Sequence, residues 1–160
     1  FLVLQYSILK TELGKFGILT SKSNLIKIVL PNKDPLSMKL TDPNSYTPFM
    51  KNVIDQMNQY FMGSRKEFDI KLKLELPPFY EKVLNEVRKI PYGQTFSYKK
   101  IAINLQNSKA FRAVANANAI NPIPIIIPCH RVILSNGDLG EYGGGKLMKK
   151  ILVQNEINNN

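Results

Sequence analysis

Residues 97–119 read SYKKIAINLQNSKAFRAVANANA and predict two short helices joined by a tight turn. Ser97 is a candidate N-cap for the first helix, over 98–105, because a serine side chain can accept a hydrogen bond from the first turn. The polar run 105–108 supplies the turn, and the second helix follows over 109–119. This pattern is typical of a helix-turn-helix, although many helical hairpins bind nothing.

The charge around these helices suits a polyanionic partner. The 160 residues include 22 Lys and Arg against 12 Asp and Glu, which leaves a net charge of +10. No acidic residue lies between 87 and 137, a stretch with seven basic ones. Such a surface fits a nucleic acid or an anionic membrane surface, or is simply a solvated face. No apolar stretch approaches the length of a membrane span, so we expect no membrane-spanning segment.

The first half of the chain predicts a small α/β domain over 1–76, and the stiff pair Pro77-Pro78 separates it from a second domain over 77–160. The segments 6–9, 15–20 and 25–30 are β-prone and are separated by turn residues, and 31–46 reads as a loop. This half has no catalytic constellation, so we interpret it as a scaffold.

Three further elements are predicted from capping and periodicity. Thr47 and Pro48 suit the start of a helix that Gly63 ends. The alternating run 68–74 predicts a half-buried edge strand, and 79–90 predicts another helix. The chain then closes with an amphipathic helix that ends near Glu156, with its inward residues being Leu147, Ile151 and Leu152.

The segment 121–128, NPIPIIIP, leads to the reactive part of the sequence. Its three prolines exclude a regular helix and predict a rigid, buried, extended run that delivers Cys129 and His130 to a fixed point. These are the only cysteine and the only histidine, so an internal disulfide and an ordinary Cys/His zinc site are excluded. We expect no metal and no cofactor.

A free cysteine is most often a small buried hydrophobe. Here His130 follows Cys129 directly and Arg131 comes next, and both would favour a nucleophilic thiolate. A Cys/His pair also serves acyl transfer in hydrolases, and that alternative stays open. The glycine-rich loop 137–145 that follows lets backbone N–H groups approach a ligand closely, and its spacing differs from that of a phosphate-binding loop.

The run Ile127-Pro128-Cys129-His130-Arg131-Val132-Ile133 resembles the active-site signature of the O6-alkylguanine-DNA alkyltransferases, or methylated-DNA–protein-cysteine methyltransferases. The family's order and spacing are also matched by Arg112-Ala113-Val114, Asn121-Pro122, Gly140 to Gly144 and Glu156. The resemblance is strong over about 77–157 and looser before it.

This resemblance implies a ribonuclease-H-like α/β N-terminal domain and a mainly helical C-terminal domain of winged helix-turn-helix type. It implies DNA repair by direct damage reversal, in which an alkyl group moves irreversibly and stoichiometrically from O6-alkylguanine in duplex DNA to Cys129. The base must first be flipped out of the stack. The family also implies a cytoplasmic monomer, or a nuclear one in a eukaryote, and no cofactor.

The resemblance assigns the catalytic roles residue by residue. Cys129 is the alkyl acceptor, His130 acts as its base through a water, and Glu156 orients that histidine. Tyr98 resembles the tyrosine that donates to the flipped guanine as the bond to O6 breaks, and Asn121 resembles the hinge asparagine.

The resemblance also assigns the contacts with DNA. Arg112 would fill the place that the flipped base leaves, with its helix in the minor groove; the full set of DNA-binding candidates is Ser97, Lys99, Arg112, Ala113, Ala115 and Asn116. The substrate pocket would be walled by Val132, Tyr142, Gly143 and Gly144, with the backbone of Cys129 and Val132 reading the exocyclic amine. The zinc site of some relatives has no ligands here.

Two positions depart from the family pattern. Ala115 and Asn116 stand where the family commonly has glycine, and Glu141 places an acid beside Tyr142. Two other functions are alternatives: a non-catalytic lesion-recognition protein of the alkyltransferase-like type, which lacks the acceptor cysteine, and a Cys/His hydrolase. The presence of Cys129 counts against the first.

Overall fold

The computed structural model describes residues 3–160. The chain divides into two compact units, Phe1–Leu74 and Glu75–Asn160. The predicted proline joint, Pro77-Pro78, lies near the start of the second unit, where Pro77 precedes a helix and Pro78 is its first residue. No helix in the described part of the chain is both long and apolar enough to cross a membrane.

The first unit is built on an antiparallel sheet in the order β1-β2-β3, with β1 at Gln5–Thr11, β2 at Gly14–Thr20 and β3 at Leu25–Val29. These strands confirm the three β-prone segments. The β1–β2 hairpin closes where Thr11 faces Gly14, whose φ of +116° lies in the region that favours glycine.

Helix α1, Pro48–Phe61, packs on this sheet and has the predicted ends. The Thr47 hydroxyl accepts a hydrogen bond from the backbone N–H of Met50 at 3.1 Å, and Gly63 follows the helix with a φ of +82°. The ring of Phe61 lies 5.0 Å from that of Phe16 in β2, which anchors the helix to the sheet.

The predicted edge strand over 68–74 is wrong, because the segment forms only a single bridge between Leu72 and Leu25. The backbone of Asp69 bonds instead to a side chain: its N–H donates to Oε1 of Gln56 at 2.9 Å, and its carbonyl accepts from Nε2 at 3.0 Å. An amide side chain has therefore taken the hydrogen bonds that a neighbouring strand would have used.

The second unit contains α2 at Pro78–Val87, α3 at Tyr98–Asn104 and α4 at Phe111–Ala119. The Ser97 hydroxyl caps α3 by accepting from the N–H of Lys100 at 3.0 Å, as predicted. A short parallel sheet pairs β4, Phe96–Ser97, with β5, Val132–Ile133. This pairing fixes the start of the helix-turn-helix beside the segment that follows Cys129.

The segment 121–128 is buried as predicted, but it is a turn and not an extended run. The N–H of Ile127 donates to the carbonyl of Ile123 at 2.9 Å, and Ile125 has a φ of +76°. The Asn121 side chain closes the turn, because its Nδ2 donates to Ile127 O at 2.9 Å and its Oδ1 accepts from Ile123 N at 3.0 Å.

The last helix, α5, spans Lys146–Asn159 and continues past its predicted end. The expected inward position of Leu147 is wrong, since that side chain is 72% exposed, and Ile151 is half-buried. The buried face consists of Lys149, Leu152 and Glu156, so two of its three residues are charged. A search for apolar periodicity cannot find such a face.

Candidate active site

Cys129 begins a 3-10 turn, Cys129–Arg131, directly after the buried turn that Asn121 closes. Cys129 is only 6% exposed. Burial raises the pKa of the thiol to about 11, and this effect is opposed by a hydrogen bond from the Asn121 side chain and by the charge of Lys149. In the free protein Cys129 is therefore a thiol at neutral pH.

His130 and Glu156 form a buried pair, with Nε2 of His130 2.6 Å from Oε2 of Glu156. Burial lowers the pKa of His130, so its ring is neutral near pH 7. Burial alone would raise the pKa of Glu156, but hydrogen bonds and charge from His130 and Arg131 outweigh it and lower the pKa to about 2. An ionised carboxylate can only accept, so Nε2 carries the imidazole hydrogen.

This tautomer leaves Nδ1 of His130 as a lone-pair acceptor. Nδ1 is buried and has no hydrogen-bond partner within residues 3–160. A neutral imidazole with one unoccupied basic nitrogen, adjacent to a buried thiol, has the composition of a general base and its nucleophile.

Arg131 does not support a thiolate, contrary to the sequence-based expectation. Its Nε and Nη2 donate to Glu156 at 2.6 and 3.1 Å, and its Nη1 donates to the carbonyl of Ile90 at 2.7 Å. The guanidinium also lies 5.6 Å from the ring centroid of Tyr92. Arg131 therefore clamps α5 to Ile90, which lies just after α2, and its positive charge is paired with Glu156.

The cation that acts on Cys129 is Lys149, a residue that the sequence analysis missed. It is fully buried, and its Nζ donates to the carbonyls of Val132, Leu139 and Glu141 at 2.6, 2.5 and 3.3 Å. Burial lowers the pKa of Lys149 to about 8. The available signal was a lysine at helical spacing from Leu152 and Glu156. Through these bonds Lys149 links β5 to the glycine-rich loop.

Tyr98 and Asn118 complete the polar part of the site. Burial raises the pKa of the Tyr98 phenol, a hydrogen bond from the Asn118 side chain lowers it, and charge on Cys129 raises it. Asn118 lies on the inner face of α4, and its Nδ2 donates to the backbone carbonyl of Cys129 at 3.2 Å. Asn118 was not predicted as a site residue either, because an asparagine in a helix is ordinarily expected to face solvent.

The predicted pocket residues lie on β5 and the glycine-rich loop. Val132 is fully buried, and the hydroxyl of Tyr142 is buried with no partner within the described residues. Burial raises the pKa of Tyr142 well above its usual value, and charge on Cys129 would raise it further. A Cβ at Gly144 would lie 2.6 Å from Sδ of Met148 and 2.7 Å from the Tyr142 ring, so any other residue here would displace these two side chains. Gly143 is exposed.

Two family models match this chain, one over each of its halves. One family model, "6-O-methylguanine DNA methyltransferase, ribonuclease-like domain", matches residues 4–74. A second, "6-O-methylguanine DNA methyltransferase, DNA binding domain", matches residues 78–158. The chain belongs to the 6-O-methylguanine DNA methyltransferase family. The predicted family and fold class, a ribonuclease-like domain followed by a DNA-binding domain, are thereby confirmed.

Individual members of the family match over nearly the whole chain. The constitutive methylated-DNA–protein-cysteine methyltransferase of Bacillus subtilis strain 168 is 36% identical over 153 residues, covering 94% of this chain and 93% of its own. The Methanosarcina mazei enzyme is 38% identical over 157 residues, covering 96% and 98%. The crystal structure of Mycobacterium tuberculosis OGT in complex with DNA has a TM-score of 0.89 at 35% identity, covering 97% and 94%.

In this family member, the DNA-binding candidates lie on or beside the helix-turn-helix. Arg112 and Asn116 are exposed on α4, whereas Ala113 and Ala115 are half-buried. Lys99 is exposed in the first turn of α3, where Ser97 is already occupied as the cap.

Within residues 3–160, no group of three or more His, Cys, Asp and Glu side chains could hold a metal ion.

Proposed function

We propose that this chain repairs DNA by direct reversal, transferring the alkyl group of O6-alkylguanine to Sγ of Cys129 once per molecule. The observation that carries the proposal is the buried Cys129-His130-Glu156 arrangement. The ionised Glu156 holds the His130 ring in the tautomer that leaves Nδ1 as an unpartnered base on the residue that follows Cys129. The matched family is that of the 6-O-methylguanine DNA methyltransferases, which supports this chemistry.

The reaction balances with the residues of this site. The Cys129 thiol gives its proton to Nδ1 of His130 through a water. The sulfur then attacks the alkyl carbon, so that the S–C bond forms and the C–O6 bond breaks with its electron pair passing to the guanine ring. The Tyr98 phenol donates a proton to that ring. The proton held by His130 then passes to the Tyr98 oxygen and replaces the one that was donated. The products are an unmodified guanine and a thioether on Cys129. A thioether carbon is a poor target for water, so each molecule acts once.

The partner is duplex DNA, bound by α4 in the minor groove. Arg112 fills the place of the flipped base, Ala113, Ala115 and Asn116 line the contact, and Ser97 and Lys99 approach the phosphates. The exposure of Arg112 in a stretch without acidic residues supports this assignment. We further propose that the protein acts as a monomer in the cytoplasm, or in the nucleus of a eukaryote.

The flipped base would be read by backbone carbonyls and enclosed by Val132, Tyr142, Gly143 and Gly144. The carbonyls of Cys129 and Val132 already accept from Asn118 and Lys149. Each carbonyl oxygen has two lone pairs, so each can still accept from the exocyclic amine of guanine. Asn121 holds the turn on which Cys129 depends.

Intact-protein mass spectrometry after incubation with O6-methylguanine duplex DNA tests the proposal. We expect one added methyl group, mapped to Cys129, and none on a Cys129→Ser control. Binding without any mass change would instead indicate a lesion-recognition protein. Repeated turnover without a stable adduct would indicate a hydrolase.

A further inference from the structure

Phe111 is an exposed aromatic residue to which the mechanism above gives no role. It is the first residue of α4, and it is 48% exposed. Every other aromatic side chain in residues 3–160 is buried or half-buried. A ring left in water forgoes the large stabilisation that its burial would give, so this position favours a partner that covers the ring.

The fold leaves about half of Phe111 uncovered. The ring makes no ring–ring or cation–ring contact within the described part of the chain. One turn further along α4 stands Ala115, whose methyl group is too small to shield a ring. Because alanine is the best helix former, a Phe111→Ala variant should keep α4 intact.

The charges around Phe111 fit duplex DNA as the partner. Lys109 and Arg112 stand on either side of it in the sequence, and both are exposed. No acidic residue occurs between 87 and 137. A second copy of this chain would place the same cations opposite these ones, which disfavours a dimer through this surface. In the minor groove, by contrast, phosphates attract the cations and the base steps accept apolar wedges.

Phe111 directly precedes Arg112, the residue proposed to fill the place of the flipped base. Across a trans peptide, consecutive Cα atoms are about 3.8 Å apart. Neighbouring nucleotides of one strand are about 3.4 Å apart along the duplex axis. Two consecutive side chains in the first turn of α4 are therefore spaced closely enough to reach neighbouring base steps.

We propose that Phe111 is a DNA-binding wedge, whose ring stacks from the minor groove on the base pair next to the flipped nucleotide. The ring replaces part of the stacking that this base pair loses when the damaged base leaves, and it thereby lowers the cost of flipping. Phenylalanine is one of the residues that minor-groove proteins insert between base steps. The inference rests on the proposed function, because it takes α4 to be the helix that enters the groove.

The chain contains no tryptophan, which allows a direct test. Phe111→Trp places one indole at the proposed contact, and a Cys129→Ser background prevents transfer while the complex is observed. When O6-methylguanine duplex DNA is added, we expect the indole to lose most of its emission and its access to iodide, because it stacks on a base. Met62→Trp in the same background is the matched control and should keep both. Met62 is 80% exposed and lies outside the DNA-binding match over 78–158.

Single-turnover rates measure what the ring contributes to repair. We expect Phe111→Ala to slow transfer from duplex O6-methylguanine by about 5- to 100-fold, the range for the loss of one base–aromatic stack. Transfer from a free-base analogue should be nearly unchanged. Phe111→Trp, with Cys129 retained, keeps a ring and should repair duplex DNA nearly as fast as the unchanged protein. Met62→Ala should match the unchanged protein on both substrates.

The inference is overturned if duplex DNA leaves the emission of Phe111→Trp unchanged, or if Phe111→Ala repairs the duplex as fast as Met62→Ala. It is also overturned if analytical ultracentrifugation finds the unchanged protein dimeric and Phe111→Ala monomeric, because a second copy would then cover the ring. Each result leaves the proposed function intact when the unchanged protein gains a methyl group on Cys129. An unchanged protein that gains none would overturn the proposed function instead.

Discussion

Oε2 of Glu156 lies 2.6 Å from Nε2 of His130, and both side chains are buried. The same carboxylate accepts from Nε of Arg131 at 2.6 Å through its other oxygen. The ionised Glu156 thus sets the tautomer of His130, the candidate base. It also pairs with Arg131, which clamps α5. Stability and reactivity should therefore fail together when this carboxylate is lost.

Glu156 should make the protein sensitive to acid. Its pKa is about 2 against an ordinary 4.5, so between these values the unfolded chain binds more protons than the folded one. The resulting stability is fully present above about pH 4.5 and is lost as the pH falls through about 2. Urea unfolding across this range should show a steep loss for the unchanged protein.

The variant Glu156→Gln removes that acid sensitivity at a high cost. We expect the free energy of unfolding at pH 7 to fall by about 3–5 kcal/mol, because Arg131 is left buried without its counter-charge. Glu141→Gln is the matched control, since the Glu141 side chain is 91% exposed. A Glu156→Gln protein as stable as the control would show that the buried pair of Glu156 and Arg131 does not stabilise the fold.

Lys149 should govern the reactivity of Cys129. We expect Lys149→Met to slow the reaction of the thiol with iodoacetamide at pH 7 by about tenfold, because a positive charge that favours the thiolate is lost. The chain has one cysteine, so labelling measured by mass reports this site alone. Lys146→Met, 67% exposed on the same helix, is the control. Equal rates in the two variants would contradict the assignment, and thermal melts check that both remain folded.

Arg112 should matter for duplex DNA and not for the chemistry itself. We expect Arg112→Ala to slow repair of duplex O6-methylguanine by tenfold or more, since unstacking a base costs about a few kcal/mol. Reaction with a free-base analogue should be nearly unaffected. Lys109→Ala, which removes an exposed charge just before α4, controls for the loss of charge alone. Equal losses on both substrates would exclude the stack-filling role.

Alkylation of Cys129 should destabilise the protein. The residue is 6% exposed, so an added methyl group overfills a packed site at about 1–3 kcal/mol. Because burial keeps the free Cys129 a thiol at neutral pH, overpacking alone accounts for the effect. For a chain of this size the melting temperature should fall by roughly 2–4 °C for each kcal/mol. Matched melts of free, methylated and benzylated protein measure it, and an unchanged melting temperature would show that the pocket accommodates the product.

Elements whose signals lie within a few residues were predictable from the sequence. Thr47 and Ser97 cap helices because each bonds a backbone N–H three residues later, and a cap needs no distant partner. The juxtaposition of Cys129 and His130 is likewise local, since the two residues are adjacent in the chain. The family's motif spacing then indicated Glu156, although nothing local shows that it reaches His130.

Features that depend on contacts between distant residues appeared only in the tertiary structure. Asn118 reaches the Cys129 carbonyl across 11 residues and Lys149 reaches that of Val132 across 17. Both are polar residues on buried helix faces, whereas their polarity alone predicts that they face solvent. The effect of burial on the Cys129 thiol was also unpredictable: the sequence placed His130 and Arg131 near it, whereas in the structure desolvation raises its pKa and the opposing charge is that of Lys149. A buried site reverses such expectations because the cost of desolvating a charge depends on everything packed around it, and that packing is set by the whole fold.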